Sequence, residues 1–121
     1  MTRTLDFSTS LHVAVEDMAR LMADADLAIG AGGTTSWERC CLGLPALVAV
    51  IAANQQMIAA ELGRAGAAVV LGRHGDVDAD TIAGKFAEIA ADPRRLAAMS
   101  ANAAAVCDGL GTARVREALA A

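Results

Sequence analysis

The sequence predicts an α/β protein: a three-layer parallel sheet of about four strands with helices on both faces. Three observations carry that prediction. Short apolar runs alternate with longer segments whose apolar residues recur at helical spacing. The run Ala46-Leu-Val-Ala-Val-Ile51 is apolar without interruption, as a strand covered on both faces requires. A glycine-rich turn, Gly30-Ala-Gly-Gly33, separates a short apolar run from a segment able to start a helix. At 121 residues the chain has room for one core. It is 55% hydrophobic but only 2% aromatic, so its elements must approach closely on small side chains, mostly alanine.

Residues 1–10 show no pattern and read as a tail, with residues 11–121 as the domain. Leu11-His-Val-Ala-Val15 alternates and predicts a first strand, with His12 on its polar side as a surface residue. Glu16 and Asp17 open a helix through Asp24, favoured there by the helix dipole, with Met18, Leu21 and Met22 as a buried stripe. Residues 27–29 predict a second, buried strand. Gly30, Gly32 and Gly33 then let the chain turn sharply and take positive φ. A helix follows from about Thr35 to Leu42, closed by Gly43, with Thr35-x-x-Glu38 in the form of a capping box. Trp37 reads as a packing anchor at its start.

Residues 46–51 are the third strand. Asn54 is a good N-cap for a helix from Gln55 to Arg64, stopped at Gly66. Residues 67–71 are the fourth strand, ended by Gly72-Arg-His-Gly75. Asp76-Val-Asp-Ala-Asp80 caps a helix to about Ala91, with Ile82, Phe86 and Ile89 on its apolar face. Asp92 and Pro93 start another, reaching about Cys107, and Thr112 opens the last after a break at residues 108–111.

Composition excludes several classes. A net charge of −4 without a basic stripe argues against nucleic acid as a partner. No apolar run approaches the ~20 residues that span a bilayer, and no signal segment opens the chain, so a cytoplasmic location is expected. Cys40, Cys41 and Cys107 have no CxxC or Cys/His metal spacing. They read as reduced, buried small hydrophobes on helices, and neither a metal nor a cofactor is expected.

The functional signal lies in residues 26–45. Strand, glycine turn and helix start together offer free backbone N–H groups and a partial positive charge to a phosphate, pointing to an anionic, nucleotide-type ligand. The NAD pattern fails: Thr35 stands where a third glycine belongs, and no acid follows about 20 residues on. A P-loop fails too, for want of a lysine in the turn. Ligands of parallel sheets bind beyond the carboxyl ends of the strands. Two polar segments arrive there, residues 30–38 and residues 54–56. Arg73 and His74 follow the fourth strand on the same edge and read as solvated.

These segments, in this order, resemble the C-terminal half of a Rossmann-like GT-B fold that binds UDP-sugars. The resemblance rests on residues 17–26, the glycine turn, Thr35-x-x-Glu38, Gly43-Leu-Pro45, Asn54-Gln55 and Ala65-Gly-Ala67, and covers nearly all of residues 11–120. The run Gly32-Gly-Thr-Thr-Ser-Trp-Glu-Arg-Cys-Cys-Leu-Gly-Leu-Pro45 is especially similar to the UDP-sugar hydrolases of pseudaminic acid biosynthesis, which release UDP from a UDP-linked diacetamido-trideoxy-altropyranose. The UDP-N-acetylglucosamine transferases of peptidoglycan synthesis share the layout more loosely. The resemblance implies that Gly32, Gly33, Thr34 and Thr35 hold the diphosphate. It makes Glu38 the acceptor for the ribose hydroxyls and brings Asn54 and Gln55 to the sugar or phosphate. The capping and ribose roles of Glu38 compete; charge-assisted bonds of about 1.5–3 kcal/mol outweigh a cap of about 1 kcal/mol, and the matched motif favours the ribose.

Departures accompany the matches. The catalytic histidine of these families lies in a glycine-rich loop of an N-terminal domain, and no such loop occurs among these 121 residues; no catalytic residue is assigned, and these residues alone are expected to be inactive. Two further strands and helices normally precede the counterpart of Leu11, so the chain reads as part of the nucleotide half. The second strand would then have an open flank. Either residues 11–15 pair there or a second copy covers it; a separate N-terminal half would be a further partner. The sequence leaves two other functions open, a fragment of a UDP-sugar-dependent glycosyltransferase and a non-catalytic α/β interaction module.

Overall fold

The computed structural model describes residues 8–121; residues 1–7 of the expected tail lie outside the described part. Three parallel strands, β1 (Ala28–Ala31), β2 (Ala46–Val50) and β3 (Ala68–Arg73), form a sheet in the order β1-β2-β3. Six α-helices accompany them: α1 (Met18–Asp24), α2 (Thr35–Cys41), α3 (Gln56–Ala65), α4 (Ala79–Ala90), α5 (Pro93–Val106) and α6 (Gly111–Ala120). The central strand β2 is the uninterrupted apolar run, paired on both sides, with Ala28 opposite Ala46 and Ala46 opposite Ala68. Between Val48 and Ala49 the register against β3 shifts by one residue, and Gly72 absorbs the irregularity at φ 129°.

The alternation of β2 divides the interior in two. Ala46, Val48 and Val50 face Cys40 of α2, Ala59 and Leu62 of α3 and Ala103 of α5. Leu47 faces the other way, against Ile89 of α4 and Met99 of α5, with Leu27, Val69 and Leu96 around them. Both faces of the sheet are therefore covered, the three-layer arrangement expected from the sequence. Alanine on the first face lets helices and sheet approach closely.

Local chemistry sets the helix ends. Asp17 accepts from the Arg20 N–H at 3.1 Å, and Asp92 from that of Arg95 at 3.1 Å with Pro93 in the first turn. The cap of α4 is Asp78, which accepts from the N–H of Thr81 at 2.8 Å and also from its hydroxyl, rather than the earlier Asp76. Gly66 ends α3 in the left-handed region at φ 74°, where its carbonyl accepts from Asn102 of α5 at 3.3 Å. Gly43 ends α2 likewise at φ 63°, and Ser100 donates to its carbonyl at 2.6 Å. Thus α5 ties down the turns that follow two successive helices.

Several expectations change. Residues 11–15 form no strand: Ala14 lies at φ 53°, breaking the alternation, and Leu11 and Val13 are exposed. Alternation alone cannot make a strand when no neighbour accepts its backbone groups, so the sheet has three strands rather than four. The capping box fails because Thr34, already helical, takes the N-cap position without a side-chain bond and Thr35 is the first helical residue. Asn54 does not cap α3; it lies within a 3₁₀ turn, Ala53–Gln55, that leads into the helix at Gln56. Of the three cysteines only Cys40 is buried; Cys41 is exposed and Cys107, half-buried, follows α5 instead of lying in it. The stripe expected on α1 is also shallow, with no residue of that helix fully buried.

Candidate nucleotide-binding site

The carboxyl ends of β1 and β2 open into a cleft of about 720 Å³. Gly33, Thr34 and Thr35 line it from the β1 side and Asn54 and Gln55 from the β2 side, so the two segments singled out in the sequence meet in space. The remaining wall is apolar, from Met18, Met22, Leu27 and Ile29 along α1 and the outer flank of β1. Gly32 and Glu38 are not in the lining: Gly32 is buried behind the turn, and Glu38 stands exposed one turn along α2.

The turn presents its amides. Gly32 N–H is consumed by Ala49 O at 3.0 Å, which fastens the turn to β2. The N–H groups of Gly33, Thr34 and Thr35 have no hydrogen-bond partner among the described residues. The carbonyls of Gly33 and Thr34 accept the N–H groups of Ser36 and Trp37, starting α2. Three adjacent free donors at a helix start suit an anion.

Close contact, rather than dihedral, marks Gly30 and Gly33. None of Gly30, Gly32 and Gly33 has positive φ, contrary to the expectation from sequence. A Cβ on Gly33 would lie 3.3 Å from the Gln55 side-chain nitrogen, whereas one on Gly32 would make only ordinary contact, 3.4 Å from Ala59 Cβ of α3. Gln55 itself bridges the two strand ends. Its Oε1 accepts from Ile51 N–H at 3.1 Å, so its Nε2 is turned toward the glycine turn as a donor.

Arg39 was not among the residues the sequence singled out. It is 6% exposed, and its Nη2 donates to Ala31 O at 2.7 Å and to Ser36 Oγ at 3.3 Å. Nε is buried without a partner. A Cβ on Gly30 would sit 3.0 Å from Nη1, so a side chain there would crowd the guanidinium. Burial pushes the guanidinium down from its ordinary value, while the neighbouring Cys40 and Glu38 act in the opposite direction. Arg39 also reaches the cleft wall, so a positive charge stands behind the free amides. A signal for it existed: Ser36, Arg39 and Cys40 share the i, i+3, i+4 stripe that α2 turns inward.

Other candidates fall elsewhere. Trp37 keeps 37% of its surface exposed instead of anchoring the helix start. His12, Arg73 and His74 are exposed and do not line the cleft. Among the described residues no cluster of His, Cys, Asp and Glu has the form of a metal site, and no helix is long and apolar enough to cross a membrane.

A parallel sheet with its cleft at the strand ends, free amides and a buried cation is the architecture of a nucleotide-binding α/β domain. Residues 8–114 match the glycosyltransferase family 28 C-terminal domain, and the chain belongs to that family. It is also similar to the spore coat polysaccharide biosynthesis protein SpsG of Bacillus subtilis (strain 168), with 36% identity over 100 residues. That match takes in 82% of this chain but 29% of the length of SpsG. No solved structure matches the chain significantly.

Proposed function

We propose that this chain is the nucleotide-sugar-binding half-domain of a UDP-sugar enzyme of bacterial surface polysaccharide synthesis. The observation that carries the reading is the cleft in which the free amides of Gly33, Thr34 and Thr35 face Asn54 and Gln55. In this reading Gly32, Gly33, Thr34 and Thr35 form the diphosphate cradle. Gly32 acts from behind, by holding the turn against β2 through its bond to Ala49. Asn54 and the Gln55 amide reach the sugar or phosphate. Glu38, exposed and free of a capping bond, accepts from the ribose hydroxyls at the rim. The polysaccharide context is supported by the name of the SpsG relative.

The enzyme we have in view is a UDP-sugar hydrolase of the pseudaminic acid type. Its support is the run from Gly32 to Pro45, which resembles those hydrolases. In that chemistry a base activates water, and the amides here stabilise the charge that develops on the departing diphosphate. We assign the base to no residue of this chain. A transferase, in which an acceptor hydroxyl replaces water, is the second reading, favoured by the family to which residues 8–114 belong.

Calorimetric titration with UDP tests the proposal. Saturable binding is expected, weakened about 10- to 100-fold by Glu38→Ala as charge-assisted bonds to the ribose are lost. No binding at millimolar UDP would leave only a non-catalytic α/β module. Unchanged affinity in Glu38→Ala would remove the ribose role alone.

A further inference from the structure

Cys41 ends α2 and Cys107 follows the last turn of α5, 66 residues apart in sequence, yet their sulfurs stand 2.9 Å apart as free thiols. The contact is held from both sides. Ser100 of α5 donates to Gly43 O just beyond Cys41, so α5 and the end of α2 are fastened together. Beyond Cys107, Asp108 accepts from Leu110 N–H at 2.9 Å and pairs with Arg114. Gly109 takes φ 77°, where its missing side chain leaves Cys41 uncovered. Cys41 is exposed and Cys107 half-buried, whereas Cys40 is 3% exposed and packs with Ala46 and Val48. Consecutive helical residues point apart, which keeps Cys40 out of the pair.

We propose that Cys41 and Cys107 form a reversible thiol–disulfide site whose oxidant is a small-molecule disulfide. The Cys41 thiolate attacks one sulfur of that disulfide, the sulfur–sulfur bond breaks, and one small thiol leaves after taking up a proton. Cys107 then attacks Cys41 Sγ in the mixed disulfide and displaces the second small thiol. The protein loses two protons and two electrons, and the reagent gains both as two thiols. A small thiol in excess runs the exchange backward. Closure would join α2 to α5 around β2, α3, β3 and α4 and restrict the unfolded chain over a long loop. It would also clamp the far end of the helix whose start borders the nucleotide cleft.

The test is incubation of the full chain with oxidised glutathione at low protein concentration, followed by alkylation and peptide mapping. Free thiols should fall from three to one, with Cys40 the alkylated residue and a peptide linking Cys41 to Cys107 within a single chain. Tm should rise by about 5 °C or more and return on adding excess reduced glutathione. In Cys107→Ser the reaction should stop at a glutathione adduct on Cys41, without that rise. A Cys40–Cys41 link, a stable glutathione adduct in the wild type, a cross-link between chains or an unchanged thiol count would each overturn the proposal. So would an equal rise of Tm in Cys107→Ser. The mapping reads the wild-type chain without nucleotide, so its failure would leave the UDP reading untouched.

Discussion

Single side chains decide how the cleft is built, and Arg39 is the clearest case. Its guanidinium is buried against Ala31 O and Ser36 Oγ, with Gly30 leaving the space it occupies. Arg39→Met should destabilise the fold by about 1–3 kcal/mol in denaturant titration, because a buried carbonyl and hydroxyl lose their donor. Arg39→Lys should not restore it, since an ammonium cannot reproduce the forked geometry. Gly33→Ala is expected to do the reverse: its Cβ would press on the Gln55 amide at 3.3 Å, so UDP affinity falls while stability barely changes. Asp108 gives the pH dependence. Its bonds from Arg114 and Leu110 hold the carboxyl down at about 2. A depressed carboxyl stabilises the fold above its unfolded value, about 3.9, and that contribution disappears as pH falls through the folded value. Carboxyl NMR titration should therefore find Asp108 still ionised at pH 3, and Arg114→Ala should move its midpoint up toward the ordinary range.

At the scale of elements, α5 does more than cover a sheet face. It holds the turn after α2 through Ser100 and the turn after α3 through Asn102, while Met99 and Ala103 enter opposite cores. Gly66→Ala tests one of these ties. The residue sits at φ 74°, and a Cβ would come within 2.7 Å of Asn102 Nδ2. Left-handed strain alone costs about 1–2 kcal/mol, so the variant should unfold at lower denaturant concentration with an unchanged slope. The strands and helices from residue 18 onward were legible because periodicity and cap chemistry agree there: Asp17, Asp92, Pro93 and Gly66 all occupy the positions read for them. Residues 11–15 have a strand-like pattern but no partner, and a pattern cannot report the absence of a neighbour. Thr35 and Asn54 misled for a related reason: Thr34 and the 3₁₀ turn already supply the helix starts.

The sheet as a whole has two unpaired edges among the described residues, β1 and β3, and the one along β1 borders the cleft. Among the described residues β1 pairs only with β2, Ile29 is 51% exposed, and the apolar wall of the cleft continues along that flank. An unpaired edge with apolar side chains favours addition of another strand. With residues 11–15 not serving as that strand, we expect a second copy to cover it. Sedimentation velocity should show a concentration-dependent dimer that Ile29→Lys converts to monomer; a wild-type monomer throughout would exclude self-pairing. Hydrogen exchange should be slowest in β2, enclosed on both edges and both faces, and fast in residues 11–15.

The sequence by itself determined the α/β layering, residues 46–51 as a strand covered on both faces, and the two segments that meet at the strand ends. These follow from periodicity and from glycine, proline and capping residues, which act on near neighbours. The tertiary structure alone decided what the glycines of the turn are for, that Arg39 stands buried behind the free amides, and that Cys41 meets Cys107. Each depends on contact between groups from different elements, or on the depth at which the fold buries them. Such distances are set by how helices settle on the sheet, and no local pattern in the chain encodes them.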